Sequence, residues 1–182
     1  VEVDPRVTTA DHLDAMRAHG LTRISLGVQD FDTEVLRLVN RPQPFELTAR
    51  LCEMARAAGY ESINFDLIYG LPGQAPEKMA ALAEQVISLR PDRLAVYRFA
   101  RVPWIKPAQR KFKDEDVPVA EAKRALYEVL RDRLLSAGYE EIGMDHFALP
   151  HDTLARSARA GTLHRNFMGY TDRGTTALLG LG

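Results

Sequence analysis

Two short apolar runs of the sequence each carry a polar side chain near the point where the run ends. Gln29 closes the run over residues 24–29, and Asp66 lies inside the run over residues 63–69. A carboxylate in an apolar strand costs free energy unless it accepts hydrogen bonds or meets a cation. Enzymes built from parallel strands collect their sites at the carboxyl ends of those strands. The pattern therefore favours Asp66 as the acceptor for a ligand hydroxyl, such as that of a ribose, over a structural cap of the next loop. For Gln29 both roles stay open.

Glu2 and Arg41 are two further candidates for ligand contacts. Glu2 stands at the end of the first apolar segment, where it could accept a hydrogen bond from a ligand ammonium or hydroxyl group or stabilise the start of the next helix. Arg41 could bind a ligand carboxylate through two parallel hydrogen bonds. The local pattern alone favours the other interpretation, in which Arg41 is a favourable cation at the end of a short helix.

Other chemistry-bearing residues give weaker signals. The turn over residues 70–74 contains two glycines that would let a ligand approach the backbone. His146 and His164 could transfer protons or bind carboxylates, although a hydrogen-bonded loop histidine explains each equally well. Cys52 reads as a small core residue, and no zinc-ligand spacing is present, so we predict no metal ligands and assign no catalytic residue.

The elements that must position these residues alternate between strand and helix. Hydrophobic periodicity, helix caps and terminal glycines give the following prediction. Strands are predicted over residues 1–3, 24–29, 63–69 and 93–99, and helices over 9–19, 33–39, 46–58 and 76–89. Such alternation implies parallel strands joined by helical crossovers.

Side-chain parity along the strands favours a barrel over an open sheet, which the alternation also allows. One face of the second strand carries Ser25, Gly27 and Gln29, and one face of the third carries Asn64, Asp66 and Ile68. The opposite faces are bulky and apolar and suit packing under helices. Polar groups on one face of successive strands are typical of a barrel lumen lined for a ligand. No GxGxxG follows a strand, which argues against a dinucleotide-binding fold.

The pattern changes after residue 100, and we predict two regions, 1–100 and 101–182. Residues 101–118 are charged and proline-rich and predict a loop. Residues 119–137 predict an amphipathic helix, with its apolar stripe formed by Ala122, Ala125, Leu126, Val129, Leu130 and Leu134. A strand is predicted over 139–143, and residues 146–174 read as irregular.

Composition excludes several classes of function. The 182 residues carry a formal net charge of −1, so we expect neither a nucleic-acid nor a membrane surface held by charge. One cysteine excludes an internal disulfide and is typical of a cytoplasmic protein. The chain starts at Val1 rather than Met, and residues 178–182 resemble the start of another apolar element, so we expect a piece of a longer polypeptide.

Seven segments in sequence order carry a family resemblance. They are EVDPR at 2–6, GVQDF at 27–31, VNR at 39–41, DLIYGLP at 66–72, QRK at 109–111, GMDHFA at 143–148 and LHRNFMGYT at 163–171. Together they resemble the oxygen-independent coproporphyrinogen III oxidases (dehydrogenases), which are radical S-adenosylmethionine (SAM) enzymes of haem biosynthesis. The first half is shared with wider relatives, including a haem-chaperone paralogue, whereas the last two segments are more specific and favour the oxidase.

The resemblance implies a fold, cofactors and site residues. The fold would be the C-terminal portion of a partial (β/α)6 TIM-like barrel of α/β class, followed by the start of a mixed C-terminal region. The cofactors would be SAM and a [4Fe-4S] cluster. The SAM-binding positions would be Glu2, Gln29, Arg41, Asp66 and Ala100, which reverses the preference for a helix-end role of Arg41. The cluster ligands of the family lie in a CxxxCxxC motif that would precede Val1, so this chain by itself should be inactive.

The implied reaction is the oxidative decarboxylation of coproporphyrinogen III to protoporphyrinogen IX by a SAM-derived 5′-deoxyadenosyl radical. It requires a tetrapyrrole substrate and an electron donor, and we expect a cytoplasmic monomer. Arg98, Arg110, His146 and Arg165 are candidates for contacts with the substrate propionates, because they are cationic or can become so. Two alternatives stay open: a haem-chaperone-like paralogue that binds a tetrapyrrole, and an unrelated barrel enzyme that acts on a phosphorylated metabolite with residues 70–74 as its anion loop.

Overall fold

The computed structural model describes residues 1–166, 169–175 and 177. Four βα units come first along the chain. The strands are β1 (Glu2–Val3), β2 (Arg23–Gln29), β3 (Ser62–Tyr69) and β4 (Arg93–Arg98), and the helices are α1 (Ala10–Ala18), α2 (Thr33–Leu38), α3 (Phe45–Ala57) and α4 (Pro76–Leu89). These bounds confirm the predicted elements to within one or two residues. Side chains cap two of these helices, because Thr9 accepts a hydrogen bond at the start of α1 and Asp32 accepts two at the start of α2.

The second part of the chain adds α5 (Ala120–Ser136), the strands β5 (Glu140–Gly143) and β6 (His146–Ala148), helix α6 (Thr153–Arg159), and the strands β7 (His164–Asn166) and β8 (Gly169–Thr171). The prediction that residues 146–174 are irregular was therefore wrong. The strands in this segment have three residues each, too few to show a period of two. Residues 101–118 contain two short 3₁₀ helices, Pro107–Lys111 and Asp114–Asp116. The apolar element predicted over residues 178–182 lies outside the described residues.

The sheet follows the chain order over its parallel part and then changes direction. Its six strands lie in the order β1-β2-β3-β4-β6-β5. The pairs from β1 to β4 are parallel, whereas β6 is antiparallel both to β4 and to β5. A separate antiparallel hairpin is formed by β7 and β8. This arrangement agrees with a parallel α/β half-barrel followed by a mixed region.

The two faces of the parallel strands differ as the parity of the sequence predicts. The outer face packs under helices α1, α3, α4 and α5, with Phe65 and Leu67 of β3 fully buried. Burying a side chain of this size contributes about 1.5–3 kcal/mol, so this layer is the main source of stability. On α5 the buried stripe is narrower than predicted, since Leu126, Leu130 and Leu134 are buried whereas both predicted alanines are exposed. The inner face carries the polar residues that form the site.

In the described part of the chain, no helix is long and apolar enough to cross a membrane.

Candidate functional site

A cavity of about 380 Å³ lies on the inner face of the sheet. Its strand residues include Glu2, Ser25, Asn64, Asp66, Ala95 and Tyr97, and its other wall includes His146, Asn166, Tyr170 and Thr171. The register explains this grouping, since Gly27 lies opposite Asp66 and Asp66 lies opposite Ala95. The β7–β8 hairpin therefore covers an inner face that the parallel strands form.

Asp66 is held by two neighbours on the inner face. Ser25 Oγ donates to Asp66 Oδ2 at 2.9 Å, and Asn64 Nδ2 donates to Asp66 Oδ1 at 2.9 Å. Asn64 Nδ2 also reaches Ser25 Oγ at 2.8 Å, so the three side chains form a closed triangle. Burial raises the pKa of Asp66, against the effect of these hydrogen bonds. Each carboxylate oxygen has further acceptor capacity for a ligand hydroxyl.

A second group of side chains converges on Gly27. A Cβ atom at this position would lie 2.9 Å from Arg41 Nη2, 3.1 Å from Gln29 Nε2 and 3.6 Å from Glu2 Oε1. Arg41 Nη2 donates to the Gly27 carbonyl at 2.6 Å, while Arg41 Nε is buried without a hydrogen-bond partner in the described residues. The Arg41 side chain thus contacts β2 instead of acting as a cation at the end of α2. An unpaired buried donor costs free energy and indicates an acceptor supplied from outside.

The turn after β2 places Gln29 in an unusual conformation. Gln29 has a φ of +68°, and the pairing of β2 with β3 shifts register between Gly27 and Gln29. A left-handed conformation is uncommon for residues with a side chain and typically occurs where a bulge redirects one. Here the bulge brings the Gln29 amide to the position beside Gly27.

The glycine turn over residues 70–74 uses its own donors internally. Gln74 Oε1 accepts from the backbone N–H groups of Gly70 and Leu71, at 2.7 and 2.9 Å. These two donors are therefore not offered to an anion. The hypothesis that this turn is an anion-binding loop is not supported.

Ala100 does not line the cavity in the described part of the chain. It is exposed in the loop after β4, and its carbonyl accepts from Gln109 Nε2 at 3.2 Å. Of the five residues predicted to bind SAM, the structure therefore brings together Glu2, Gln29, Arg41 and Asp66 near the carboxyl ends of β1–β3 and leaves Ala100 apart. No contact with a ligand tests any of the five, so their binding roles remain predictions.

Sequence reasoning missed two residues of the inner face. Tyr97 lines the cavity from β4, and Asp172 follows β8 and binds Arg23 Nη1 at 3.0 Å and Thr153. The parity of Arg93, Ala95 and Tyr97 along β4 would have indicated the first. Asp172 gave no local signal, because its partners are distant in sequence.

His146 is held in one orientation by the turn before it. Its Nδ1 lies 2.7 Å from the Met144 carbonyl, and since a carbonyl can only accept, Nδ1 carries a proton. Nε2 makes no hydrogen bond to the residues that the structure describes. Met144 and Asp145 both have positive φ, 48° and 66°. Two successive left-handed residues without glycine cost of order 1 kcal/mol each.

The other propionate candidates lie elsewhere. Arg98 is exposed on the strand face opposite Tyr97, and Arg110 Nε donates to the Pro103 carbonyl at 3.2 Å. Arg165 is exposed on the face of β7 opposite Asn166. Of the four candidates, His146 is the one that lines the cavity.

Metal ligation finds no support among the described residues. They contain no group of three His, Cys, Asp or Glu side chains that could hold a metal ion. Burial raises the pKa of the Cys52 thiol to about 12, and its side chain packs in the core under the sheet. The thiolate required of a metal ligand is therefore disfavoured at this position.

Comparisons with known proteins identify relatives of the chain. A family model described as the radical SAM superfamily matches residues 1–86. The chain is 52% identical, over 182 residues, to the oxygen-independent coproporphyrinogen III oxidase of Salmonella typhimurium, and covers 40% of that protein. It is 43% identical, again over 182 residues, to the protein of the same name from Synechocystis and covers 39% of it.

Solved structures also resemble this chain. The structure of coproporphyrinogen III oxidase (HemN) from Escherichia coli, described as a radical SAM enzyme, superposes with a TM-score of 0.93 at 51% identity, covering 100% of this chain and 42% of that one. An archaeal Elp3 structure shares the fold at a TM-score of 0.59 and 21% identity, covering 71% of this chain and 31% of that one. The chain spans about two fifths of the length of the curated relatives it matches.

Proposed function

Because the chain belongs to the oxygen-independent coproporphyrinogen III oxidase family of the radical SAM superfamily, we propose that the whole protein converts coproporphyrinogen III to protoporphyrinogen IX by oxidative decarboxylation. The observation that carries the proposal is the convergence of Glu2, Gln29 and Arg41 on Gly27, beside a cavity that contains Asp66. These are the positions at which the family resemblance implies SAM contacts.

The side chains present fit SAM chemically. Its amino-acid end carries an ammonium and a carboxylate group, and Glu2 offers an acceptor while Arg41 has a buried, unpartnered Nε donor. Its ribose hydroxyls suit Asp66, which is fixed by Ser25 and Asn64. Glu2, Gln29 and Arg41 would hold the amino-acid end and Asp66 the ribose.

The cofactors supply the difficult chemistry, and the chain supplies binding and orientation. When bound, SAM and a reduced [4Fe-4S] cluster supply the radical that removes a hydrogen atom from a substrate propionate. Each propionate then loses CO2 and one electron and becomes a vinyl group. The β7–β8 hairpin covers the inner face and would restrict access of water to it. The cluster ligands would lie outside these 182 residues, which include one cysteine.

The proposal includes the partners and the compartment. The substrate is a tetrapyrrole, an electron donor would reduce the cluster, a one-electron acceptor would take up the electron that each propionate releases, and the protein acts as a cytoplasmic monomer. The names of the relatives support the tetrapyrrole substrate. The near-neutral net charge of −1 supports the lack of a charged docking face.

The test is an anaerobic assay of the whole protein with reconstituted cluster, SAM, a reductant and coproporphyrinogen III. We expect protoporphyrinogen IX, detected by chromatography after oxidation to the porphyrin. Arg41→Ala should weaken SAM binding at least tenfold, because it removes a charged donor to the cofactor. The matched control is Arg37→Ala, four residues earlier, whose exposed side chain makes no hydrogen bond in the described part of the chain and which should bind SAM normally.

Two results would contradict the proposal. Tetrapyrrole binding without any product would favour the haem-chaperone-like alternative. Equal SAM affinities for the Arg41→Ala and Arg37→Ala variants would remove Arg41 from the cofactor site.

A further inference from the structure

His146 lines the cavity from β6, and its Nε2 makes no hydrogen bond within the described residues. Three backbone features fix it there. The Met144 carbonyl holds Nδ1, the ladder places His146 opposite the small residue Ala95 of β4, and Gly169 of β8 leaves room for the ring. A Cβ atom on Gly169 would lie 2.7 Å from His146 Cε1 and 3.2 Å from Nε2. The ring is therefore oriented by elements from both sides of the cavity.

Two carboxyl groups, those of Asp66 and Asp145, lie close enough to His146 to interact with it. Burial raises the pKa of Asp66 on β3, and the charge of His146 acts in the opposite direction. Burial also raises the pKa of Asp145, in the turn before His146, and the charge of His146 again opposes this shift. The other ionisable groups that line the cavity are the Val1 amino group, Glu2, Arg23, Arg93, Tyr97 and Tyr170. Both arginines are paired with Asp172. A carboxylate bound at Nε2 would itself stabilise an imidazolium, and Nε2 makes no hydrogen bond within the described residues.

We propose that His146 Nε2 donates a charge-assisted hydrogen bond to the ionised carboxylate of a substrate propionate and so positions that side chain in the cavity. The inference rests on the proposed function, which supplies a substrate with propionate groups. An ionised carboxylate is the form that can leave as CO2, so a cationic donor at this place selects the reactive form. Arg98, Arg110 and Arg165 are not placed to do this, because they do not line the cavity.

The experiment measures binding separately from turnover. Coproporphyrin III, the fluorescent oxidised form of the substrate skeleton, and its tetramethyl ester are titrated into the whole protein in the same detergent solution. The two probes differ in their carboxylates alone. For His146→Gln we expect the Kd of the tetra-acid to rise about tenfold or more and that of the ester to change less than about twofold. Retained ester binding shows that the variant is folded.

Two further variants sharpen the test. His146→Arg keeps a cationic donor and should recover most of the tetra-acid affinity. His19→Gln is the matched control, since His19 is exposed at the end of α1 and should affect neither probe.

The outcomes separate the two proposals. If the parent forms protoporphyrinogen IX but His146→Gln binds both probes like the parent, or loses both equally, the assignment to His146 is overturned and the proposed function stands. If the parent forms no product, both are overturned.

Discussion

Gln74 Nε2 donates a hydrogen bond to Asp30 Oδ2 at 2.6 Å and so ties the turn after β3 to the turn after β2. Both side chains are buried, with 8% and 1% of their surface exposed. Asp30 Oδ1 accepts from the backbone of Phe31 and Asp32, and Gln74 Oε1 accepts from two backbone groups of its own turn. One amide thereby connects the two loops that follow β2 and β3.

Gln74→Ala should lower the free energy of unfolding by about 3 kcal/mol, because Asp30 and two backbone N–H groups lose their partner inside the protein. Urea unfolding measures this change. Gln85→Ala is the control, since Gln85 lies on α4 and its side chain makes no hydrogen bond in the described part of the chain. If Gln74→Ala lowers the free energy of unfolding by less than about 1 kcal/mol, water replaces the hydrogen bonds of the Gln74 side chain.

Asp172 should make the free energy of unfolding depend on pH under acidic conditions. Burial alone would raise the pKa of Asp172, but hydrogen bonds from Thr153 and Arg23 and the charge of Arg93 outweigh it and hold the pKa below its usual range. A carboxyl group with a depressed folded-state pKa stabilises the fold above its unfolded-state pKa, near 3.9, and loses this contribution as pH falls toward the folded-state value.

The measurement compares the parent with Asp172→Asn by urea unfolding at several pH values. The stability advantage of the parent should be constant above about pH 5 and shrink below about pH 4. Asp14→Asn, at an exposed position of α1, is the control. An advantage that does not depend on pH would contradict the role of Asp172.

Gly27→Ala should weaken SAM binding without unfolding the protein. The new Cβ would meet Arg41 Nη2 at 2.9 Å and Gln29 Nε2 at 3.1 Å, and these are the ends of flexible side chains that can move away. We expect about tenfold weaker binding of SAM, by calorimetry on the whole protein, with thermal unfolding close to that of the parent. Unchanged affinity would mean that SAM does not use these two side chains.

Replacing the two strained residues of the turn before His146 should stabilise the protein. Met144→Asn together with Asp145→Gly supplies residues that tolerate positive φ at both positions, the preferred pair for a two-residue hairpin turn. The double variant should gain about 1–2 kcal/mol in urea unfolding. Met144→Ala keeps a left-handed residue without glycine and should gain nothing. Equal stabilities of the parent and the double variant would show that the turn carries no strain.

The 182-residue chain by itself should not assemble an iron–sulfur cluster. Its one cysteine is buried in α3, and burial raises the pKa of the thiol to about 12. Incubation with ferrous iron and sulfide should leave no protein-bound visible absorption after gel filtration, and Cys52→Ala should give the same spectrum. A site-bound cluster spectrum that Cys52→Ala abolishes would contradict this expectation.

Much of the fold follows from local patterns. Short apolar runs located β2 and β3, and hydrophobic periodicity together with helix caps located α1 and α2. Parity on those strands also predicted which side chains share the inner face, since successive residues of a strand point to opposite sides. The position of Asp66 on the inner face was therefore accessible to sequence reasoning.

The sequence by itself determined the parallel βα order, the polar inner face and the family. The tertiary structure alone decided where Arg41 points, how His146 is oriented, and that the β7–β8 hairpin covers the cavity. The physical reason is range. Periodicity and caps act over a few residues, whereas Arg41 reaches a carbonyl 14 residues away and Asp172 binds an arginine 149 residues away. Such contacts form when strands pair and helices pack, and no local pattern encodes them.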